Sequence, residues 1–352
     1  MSAEIPPGTD LSKIPLLANP DGSPPNFVNP PSLKAVTYAV TIILMIISFS
    51  LVASRVRLHF KAHRKFAFDD FFCIIAWVLA TVYSIIVITA TPTARHAWDV
   101  PISAIDASWV KRSAVLGTIY GPAMWFAKTS ILTMYLRVFN VVGWMRWCCH
   151  IGIVFLFCTY WSLVPVSVIY NFPHGANEHW DFALTSNSKP AQVPFVIMGL
   201  ISVVSDLYIL ILPFPILLKL EISWKRKLGL CLVFVTAAIG VVSSCLVFYF
   251  RVVLWQNKTQ DATWNVAASY LTVAVEINVA VIVSCTPTAA SLKFMVQESK
   301  LYSSLRLAFR SSRSLVHVVH VKNWSSIKEN EPKPDSEAYL VSLEPVKSEP
   351  RS

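Results

Sequence analysis

The 352-residue chain is 55% hydrophobic, and only 14% of its residues are charged. A soluble domain carries about 25% charged residues, so this composition excludes an ordinary soluble protein and indicates a membrane protein. The net charge of +10 does not require a nucleic-acid partner, because the basic residues cluster in alternate loops, as the topology of a membrane protein would place them.

Proline is frequent in residues 1–32, and this composition predicts a disordered extracytoplasmic tail. Residues 33–290 then contain seven apolar stretches, each near the 20 or so residues that a helix needs to cross a bilayer. The sequence therefore predicts an all-α membrane protein, a seven-transmembrane helix bundle in contact with the lipid bilayer. The predicted spans are 33–54, 69–90, 113–136, 148–170, 194–218, 228–250 and 266–290.

The distribution of lysine and arginine predicts the orientation of the bundle. The three predicted inner loops hold eleven of these residues and the three outer loops hold six. The positive-inside rule therefore places the N-terminus outside and the C-terminus in the cytoplasm. Residues 291–352 form a tail that is first basic and then acidic, and we expect it to be cytoplasmic. Asn257 lies in a glycosylation sequon of the last outer loop, so we expect a glycoprotein.

Three charges fall near the middle of predicted spans. Lys128 lies in the third span, Asp206 in the fifth, and Glu276 in the seventh, close to Asn278. A charge in hydrocarbon costs about 3 kcal/mol or more, and such residues usually face the bundle interior and pair. We therefore expect one polar cluster of Lys128, Asp206 and Glu276, with Asn278 nearby. It either lines a ligand pocket or forms an ion-pair network that fixes helix packing.

Polar and aromatic residues crowd the predicted outer loops. His96, Trp98 and Asp99 follow the second span, and residues 179–181 repeat a His-Trp-Asp run after the fourth. We expect an ordered aromatic lid over the mouth of the bundle, with His96, Trp98 and Asp99 contributing to ligand binding. Their spacing matches no metal-binding motif, so we expect no metal and no cofactor.

The ends and the surface of individual spans carry further signals. Gly117 and Gly121 give the third span small-residue steps, which allow close contact between helices. Asp69 and Asp70 open the second span, where the helix dipole favours negative charge. Arg137 ends the third span, where we expect it to anchor the helix at the inner headgroups.

Several motifs occur in the predicted spans and loops: Asp69-Asp70, Arg95-His96-Ala97-Trp98-Asp99, Lys128 to Leu132, Tyr135 to Phe139, Asp206, Pro213, Arg251, Glu276 and Cys285-Thr286-Pro287. Taken together, these motifs resemble the fungal rhodopsin-like domain, a family of seven-helix integral membrane proteins, over about residues 33–295. Where the family usually has a glycine pair before the Arg-His step, this chain has Thr91-Pro92-Thr93-Ala94. A retinal Schiff base is not expected, because opsins place that lysine on the seventh helix and the seventh predicted span has none.

What the resemblance implies about function leaves several classes open. Some relatives look like receptors, which implies a receptor-like protein that senses a small apolar molecule and signals to a cytoplasmic protein. Others are encoded beside enzymes of secondary metabolism, which implies a membrane-embedded enzyme, such as a cyclase using Asp206 or Glu276 as acid, or an accessory protein. A transporter or structural membrane protein is the third class. The plasma membrane suits a sensor, and the endoplasmic reticulum suits an enzyme.

Overall fold

A computed structural model of the chain describes residues 10–61, 67–139, 142–173, 180, 189–218, 224–256 and 261–298. Residues up to Leu292 form one compact unit. The described part is all-α, with a short helix, Phe214–Leu218, and isolated backbone bridges but no strands. Its seven long helices are α1 (Lys34–Lys61), α2 (Phe68–Thr89), α3 (Ala107–Val138), α4 (Gly143–Asn171), α5 (Lys189–Ile211), α6 (Trp224–Gln256) and α7 (Ala262–Glu298).

Six stretches of these helices are long and apolar enough to cross a membrane: Lys34–Arg57, Phe68–Thr89, Gly143–Asn171, Gln192–Ile216, Phe234–Gln256 and Ala262–Thr286. The chain is therefore a multi-pass integral membrane protein. The helix outside this set is α3, whose 32 residues include Lys128 and many small or hydroxylated side chains. It packs along both α2 and α4, so much of its surface meets protein. Further along the chain, α4 packs on α5 and α5 packs on α6.

Small residues set the close contact between α3 and α4. A Cβ atom added to Gly121 would lie 2.4 Å from the backbone oxygen of Tyr160, a distance that no packed side chain tolerates. A Cβ at Gly117 would lie 3.1 Å from the hydroxyl of Ser167. The glycine steps predicted in the third span are therefore the positions at which α4 approaches the backbone of α3.

The sixth helix is longer than the sequence predicts, and this corrects the placement of Arg251 in an outer loop. Arg251 lies inside α6 and is only 7% exposed. Its Nη1 donates to the backbone oxygen of Phe195 at 2.8 Å, and its guanidinium carbon lies 4.3 Å from the ring centroid of Tyr120. The Arg251 charge thus has a hydrogen-bond acceptor and an aromatic face as partners inside the bundle. The helix α6 can therefore continue past this residue.

That residues 1–32 form a disordered extracytoplasmic tail stays a prediction, and the structure describes this proline-rich segment from residue 10 onward. Residues 10–33 lie along residues 90–106, which join α2 to α3. The sequence predicts that residues 90–106 are an outer loop, and we call them the outer connection. Extended backbone that forms no structure of its own can still satisfy its polar groups against a neighbouring segment. The backbone bonds are Leu16 N–H to Val100 O (2.9 Å), Ile102 N–H to Ile14 O (3.0 Å) and Leu33 N–H to Ala94 O (3.0 Å).

Candidate functional site

Lys128 is a wholly buried charge of the bundle, with a side chain that is 0% exposed. Its Nζ lies 2.8 Å from Oδ1 of Asp206, and it donates to the hydroxyls of Ser202 at 2.9 Å and Ser205 at 2.7 Å. The backbone oxygen of Ser202 is a further acceptor at 3.0 Å. An ammonium group has three hydrogens, so α5 alone supplies enough acceptors to satisfy it.

Two serine hydroxyls connect Glu276 of α7 to this ion pair. Ser202 Oγ donates to Glu276 Oε1 at 2.5 Å. Ser244 of α6 lies 2.9 Å from the same carboxylate oxygen and also hydrogen-bonds Oδ2 of Asp206. The structure therefore brings Lys128, Asp206 and Glu276 together into one cluster that joins α3, α5, α6 and α7.

Tyrosine side chains enclose the cluster. The Tyr120 hydroxyl donates to Glu276 Oε2 at 3.3 Å, and the Tyr160 hydroxyl donates to Ser202 Oγ at 3.1 Å. The Tyr120 ring in turn carries the guanidinium of Arg251 on its face. We call the whole set the central network; its members are Tyr120, Lys128, Tyr160, Ser202, Ser205, Asp206, Ser244, Arg251 and Glu276.

The central network contains two cations and two anions. Lys128 and Arg251 are the cations and Asp206 and Glu276 the anions, so the formal charges of the network balance. Burying a charge is costly unless it is paired and hydrogen-bonded. Lys128 and Asp206 form an ion pair. Glu276 instead accepts from hydroxyl groups, and Arg251 contacts a backbone oxygen and the Tyr120 ring. Removing Lys128 or Asp206 would leave its partner without a counter-charge.

Asn278, expected beside the three charges, belongs to a different contact. Its Nδ2 donates to the Ser84 hydroxyl at 3.0 Å, and its Oδ1 lies 3.2 Å from the Ser48 hydroxyl. Asn278 therefore ties α7 to α1 and α2. It lies half a turn from Glu276 along α7 and points toward another part of the bundle.

A second group of charges lies at the end of the bundle that the sequence predicts to be cytoplasmic. Arg55 of α1 reaches Asp69 at 2.5 Å, Asp70 at 2.7 Å and the backbone oxygen of Ser284 on α7 at 2.6 Å. Arg137 of α3 lies 3.1 Å from Asp69. We call these five residues the inner clasp. Arg137, expected to act as a headgroup anchor, is 40% exposed and also binds an acid of α2.

At the opposite end, His96 lies between two tryptophans. Its ring is parallel to that of Trp98 at 4.7 Å and to that of Trp264 at 4.3 Å, centroid to centroid. Its Nδ1 is 2.5 Å from Oδ2 of Asp261, whose Oδ1 accepts the backbone N–H of Ala97 at 2.9 Å. These contacts connect the outer connection to the start of α7.

The other predicted members of the aromatic lid have different positions. Asp99 is buried and accepts the backbone N–H of Asn26 at 2.9 Å, so it holds the N-terminal segment. Trp180 packs its ring on Phe172 at 5.5 Å, below the ammonium of Lys111. His179 and Asp181, like the sequon residue Asn257, lie outside the described residues.

A small cavity lies below the outer connection, between α1, α2, α3 and α7. Its volume of about 20 Å³ is enough for roughly one water molecule. Several of its walls carry hydroxyl groups, which nothing in the linear sequence brings together. The polar residues that line it are Thr37, Thr91, Thr93, Trp109, Thr263 and Tyr270.

The sequence pattern of the fungal rhodopsin domain matches residues 54–294, about two thirds of the chain. The chain belongs to the fungal rhodopsin domain family. The match begins next to Arg55 and ends beyond Ser284, so it contains the central network and the inner clasp.

Two relatives of this fungal rhodopsin domain protein carry names that bear on its role. A SAT4 family membrane protein of Emericella nidulans is 25% identical over 66% of the chain, which spans 59% of that relative's length. Fugralins biosynthesis cluster protein 2 of Gibberella zeae is 23% identical over 85% of the chain and 74% of its own length. No solved structure matches the chain.

Sequence analysis of this fungal rhodopsin domain missed the serines of the central network, along with Tyr120 and Tyr160. Ser202, Ser205 and Asp206 are spaced i, i+3 and i+4 on α5, so they share one helix face with the acid. That spacing could have identified Ser202 and Ser205 from the sequence. No such pattern identifies Ser244, because a lone serine in an apolar span can simply hydrogen-bond to the backbone of its own helix.

The fungal rhodopsin domain shows no grouping that suits a metal ion: nowhere in the described ranges do three His, Cys, Asp or Glu side chains gather at suitable distances. Chemically, the central network keeps charged side chains inside the bundle and links helices to one another through hydrogen bonds. The hydroxyl-lined cavity can accept one small polar group.

Proposed function

We propose that this protein is a receptor-like membrane sensor of a small apolar molecule. The observation that carries the proposal is the contact pattern of α7. Tyr270 lines the outer cavity, Glu276 joins the central network, and the backbone of Ser284 joins the inner clasp. A displacement of α7 at its outer end would therefore disturb contacts along the whole depth of the bundle, as a sensor requires.

We further propose seven membrane spans, with α3 as the seventh. Its 32 residues extend about 48 Å, more than the hydrocarbon core of about 30 Å. Both of its sequence neighbours, α2 and α4, are apolar enough to span. Its low hydropathy is understandable because protein partners satisfy Lys128. The excess of basic residues in the inner loops supports an outer N-terminus and a cytoplasmic C-terminus. For a sensor, we propose the plasma membrane as its location.

The ligand would enter at the outer end. A cavity of about 20 Å³ is too small for an organic molecule, so binding requires the outer ends of α1 and α7 to separate. Thr93 and Thr263 each donate their hydroxyl hydrogen to a backbone oxygen, at 2.9 and 2.8 Å. The Thr263 oxygen can then accept from a ligand, and so can the Thr93 oxygen, which already accepts from Nε1 of Trp109 at 3.2 Å and has a second lone pair. The ligand class is a small apolar molecule with one hydroxyl or amine donor.

The residues expected to bind ligand take different parts in this proposal. His96, Trp98 and Asp99 hold the outer connection over the cavity. Lys128 already has acceptors for all its hydrogens, so the proposed role of the central network is to couple helices. Direct ligand contact by Lys128, Asp206, Glu276 and Asn278 stays a prediction. Arg137 is half-exposed, and separation of the inner clasp would release it from Asp69. Its charge could then bind a cytoplasmic signalling partner.

Binding can be tested on the full chain in lipid nanodiscs. Small apolar alcohols and amines are screened for those that raise the melting temperature, since a ligand that binds only the folded state stabilises it. Ala267→Phe fills the cavity from α7, and Ile43→Phe places the same aromatic side chain at an outward-facing position of α1 that is 55% exposed. A true ligand stabilises the parent protein and Ile43→Phe but not Ala267→Phe. Absence of any such compound contradicts the proposal.

An enzyme of secondary metabolism is the second candidate. Asp206 and Glu276 both contact the single hydroxyl of Ser244, an arrangement that can pass a proton from one carboxyl to the other. One relative is named for a biosynthesis cluster. The test is a metabolite profile of a deletion strain beside an Asp206→Asn, Glu276→Gln double variant. Loss of the same product and gain of the same precursor in both, with folded protein present, favours the enzyme.

A further inference from the structure

Two cysteines meet at the inner end of the bundle, beside the inner clasp. Cys73 of α2 and Cys285 of α7 are both buried, and their sulfur atoms are 3.4 Å apart. The Ser284 hydroxyl lies 3.3 Å from the Cys73 sulfur, while its backbone oxygen accepts from Arg55 at 2.6 Å. The thiol pair is therefore in contact with the residue through which α7 joins the inner clasp.

We propose that Cys73 and Cys285 are a redox pair that a hydroperoxide converts into a disulfide. A disulfide bond is about 2.05 Å long, so the sulfurs must approach by roughly 1.4 Å, which side-chain rotation and a small helix shift supply. The pair joins two helices that are distant in sequence, and each partner comes from a helix that the clasp already holds. The chemistry of the pair does not depend on the sensing role proposed above.

The reaction balances with a hydroperoxide as the oxidant. One thiol loses its proton, its sulfur attacks the peroxide oxygen and the O–O bond breaks; the leaving hydroxide or alkoxide takes up that proton, so the products are a sulfenic acid and water or an alcohol. The second thiol then loses its proton, its sulfur attacks the sulfenic sulfur and the S–S bond forms while the S–O bond breaks; the leaving hydroxide takes up that proton and departs as water. Two thiols are oxidised by two electrons, and one peroxide is reduced. Exchange with a small thiol reverses the step.

The disulfide would tie the inner ends of α2 and α7 to each other. At the inner clasp, α2 and α7 could then no longer separate, so oxidation would hold these two helices in the arrangement described. In the proposed topology this end faces the cytoplasm, where disulfides are mostly transient and regulatory. The structure thus assigns a redox switch to the clasp.

Peptide mapping tests the bond directly. The full chain in nanodiscs is treated with hydrogen peroxide, its free thiols are alkylated, and it is digested without reduction for mass spectrometry. We expect a peptide linked through Cys73 and Cys285, abolished in Cys73→Ser and undiminished in Cys158→Ser, since Cys158 lies exposed on α4. Recovery of both thiols in alkylated form, with no linked peptide, overturns the proposal.

The melting temperature tests whether the disulfide also stabilises the protein. Peroxide should raise the melting temperature of the parent protein, and dithiothreitol should return it to its starting value. Cys285→Ala should show neither change, which keeps the test valid should Cys73→Ser fail to fold. A linked peptide that forms without any rise in melting temperature would contradict the role of the disulfide in restraining the clasp.

Discussion

Lys128 on α3 and Asp206 on α5 form an ion pair 2.8 Å long, and the lysine side chain is wholly buried. The pair is one of the contacts that join α3, which lacks the hydropathy of the other spans, to the second half of the bundle. Because Ser202 and Ser205 supply the remaining acceptors, the ammonium has no need of a ligand in this state.

Replacing Lys128 with methionine should therefore destabilise the protein strongly. The variant leaves Asp206, whose side chain is only 15% exposed, without its counter-ion, a change that typically costs about 3–5 kcal/mol. The free energy of unfolding in nanodiscs or mixed micelles measures the effect. Adding Asp206→Leu to the same variant should recover part of the loss, because the stranded charge is removed. A single variant as stable as the parent protein would show that the ion pair does not hold α3 in place.

Gly121→Ala should weaken the contact between α3 and α4. Its new Cβ would lie 2.4 Å from a backbone oxygen of α4, so one helix must shift, and overpacking of this kind costs about 1–3 kcal/mol. Gly143→Ala is the matched control, because nothing lies within 4 Å of a Cβ added there. Equal melting temperatures for the two variants would refute the close approach.

The two arginines of the inner clasp should differ in their importance. Arg55 is 2% exposed and has three partners, so Arg55→Met should cost about 3–5 kcal/mol of unfolding free energy. Arg137 is 40% exposed, and its pair with Asp69 should contribute about 0–1 kcal/mol. Thermal unfolding of both variants gives the comparison. A greater loss in Arg137→Met than in Arg55→Met would reverse this assignment.

His96 should decide the order of the outer connection. In His96→Ala, both ring stacks and the contact with Asp261 are lost, so deuterium uptake in residues 94–104 should rise several-fold. His96→Phe keeps an aromatic ring between the two tryptophans, and its uptake should lie between those of the parent protein and His96→Ala. Unchanged exchange in His96→Ala would mean that other contacts hold the connection.

The sequence predicted the helices and the meeting of the buried charges, because both follow from the properties of hydrocarbon. Long apolar stretches must span, and charges such as Lys128 and Glu276 must find partners inside a bundle. The partners themselves were less predictable. Arg251 was assigned to a loop, because hydropathy alone cannot show that the Phe195 carbonyl and the Tyr120 ring contact it within the bundle.

Contacts between distant segments account for the remaining differences. The proline-rich residues 10–33 form no hydrophobic pattern of their own, and backbone hydrogen bonds join them to the outer connection. Asn278 is only two residues from Glu276, yet the helical turn of about 100° per residue directs it toward Ser84 of α2. The stack of Trp264 on His96 joins residues 168 positions apart, which no local pattern indicates.

The central claim is that α7 transmits a change at the outer cavity to the inner clasp. Deuterium exchange of Ala267→Phe, beside the outward-facing control Ile43→Phe, tests this most directly, since Ala267 lines the cavity. If the account is right, Ala267→Phe raises uptake in residues 67–73 and 133–139, at the clasp, and Ile43→Phe does not. If uptake in Ala267→Phe changes only around the cavity and stays at the parent level at the clasp, α7 does not couple the two ends and the sensor account is wrong.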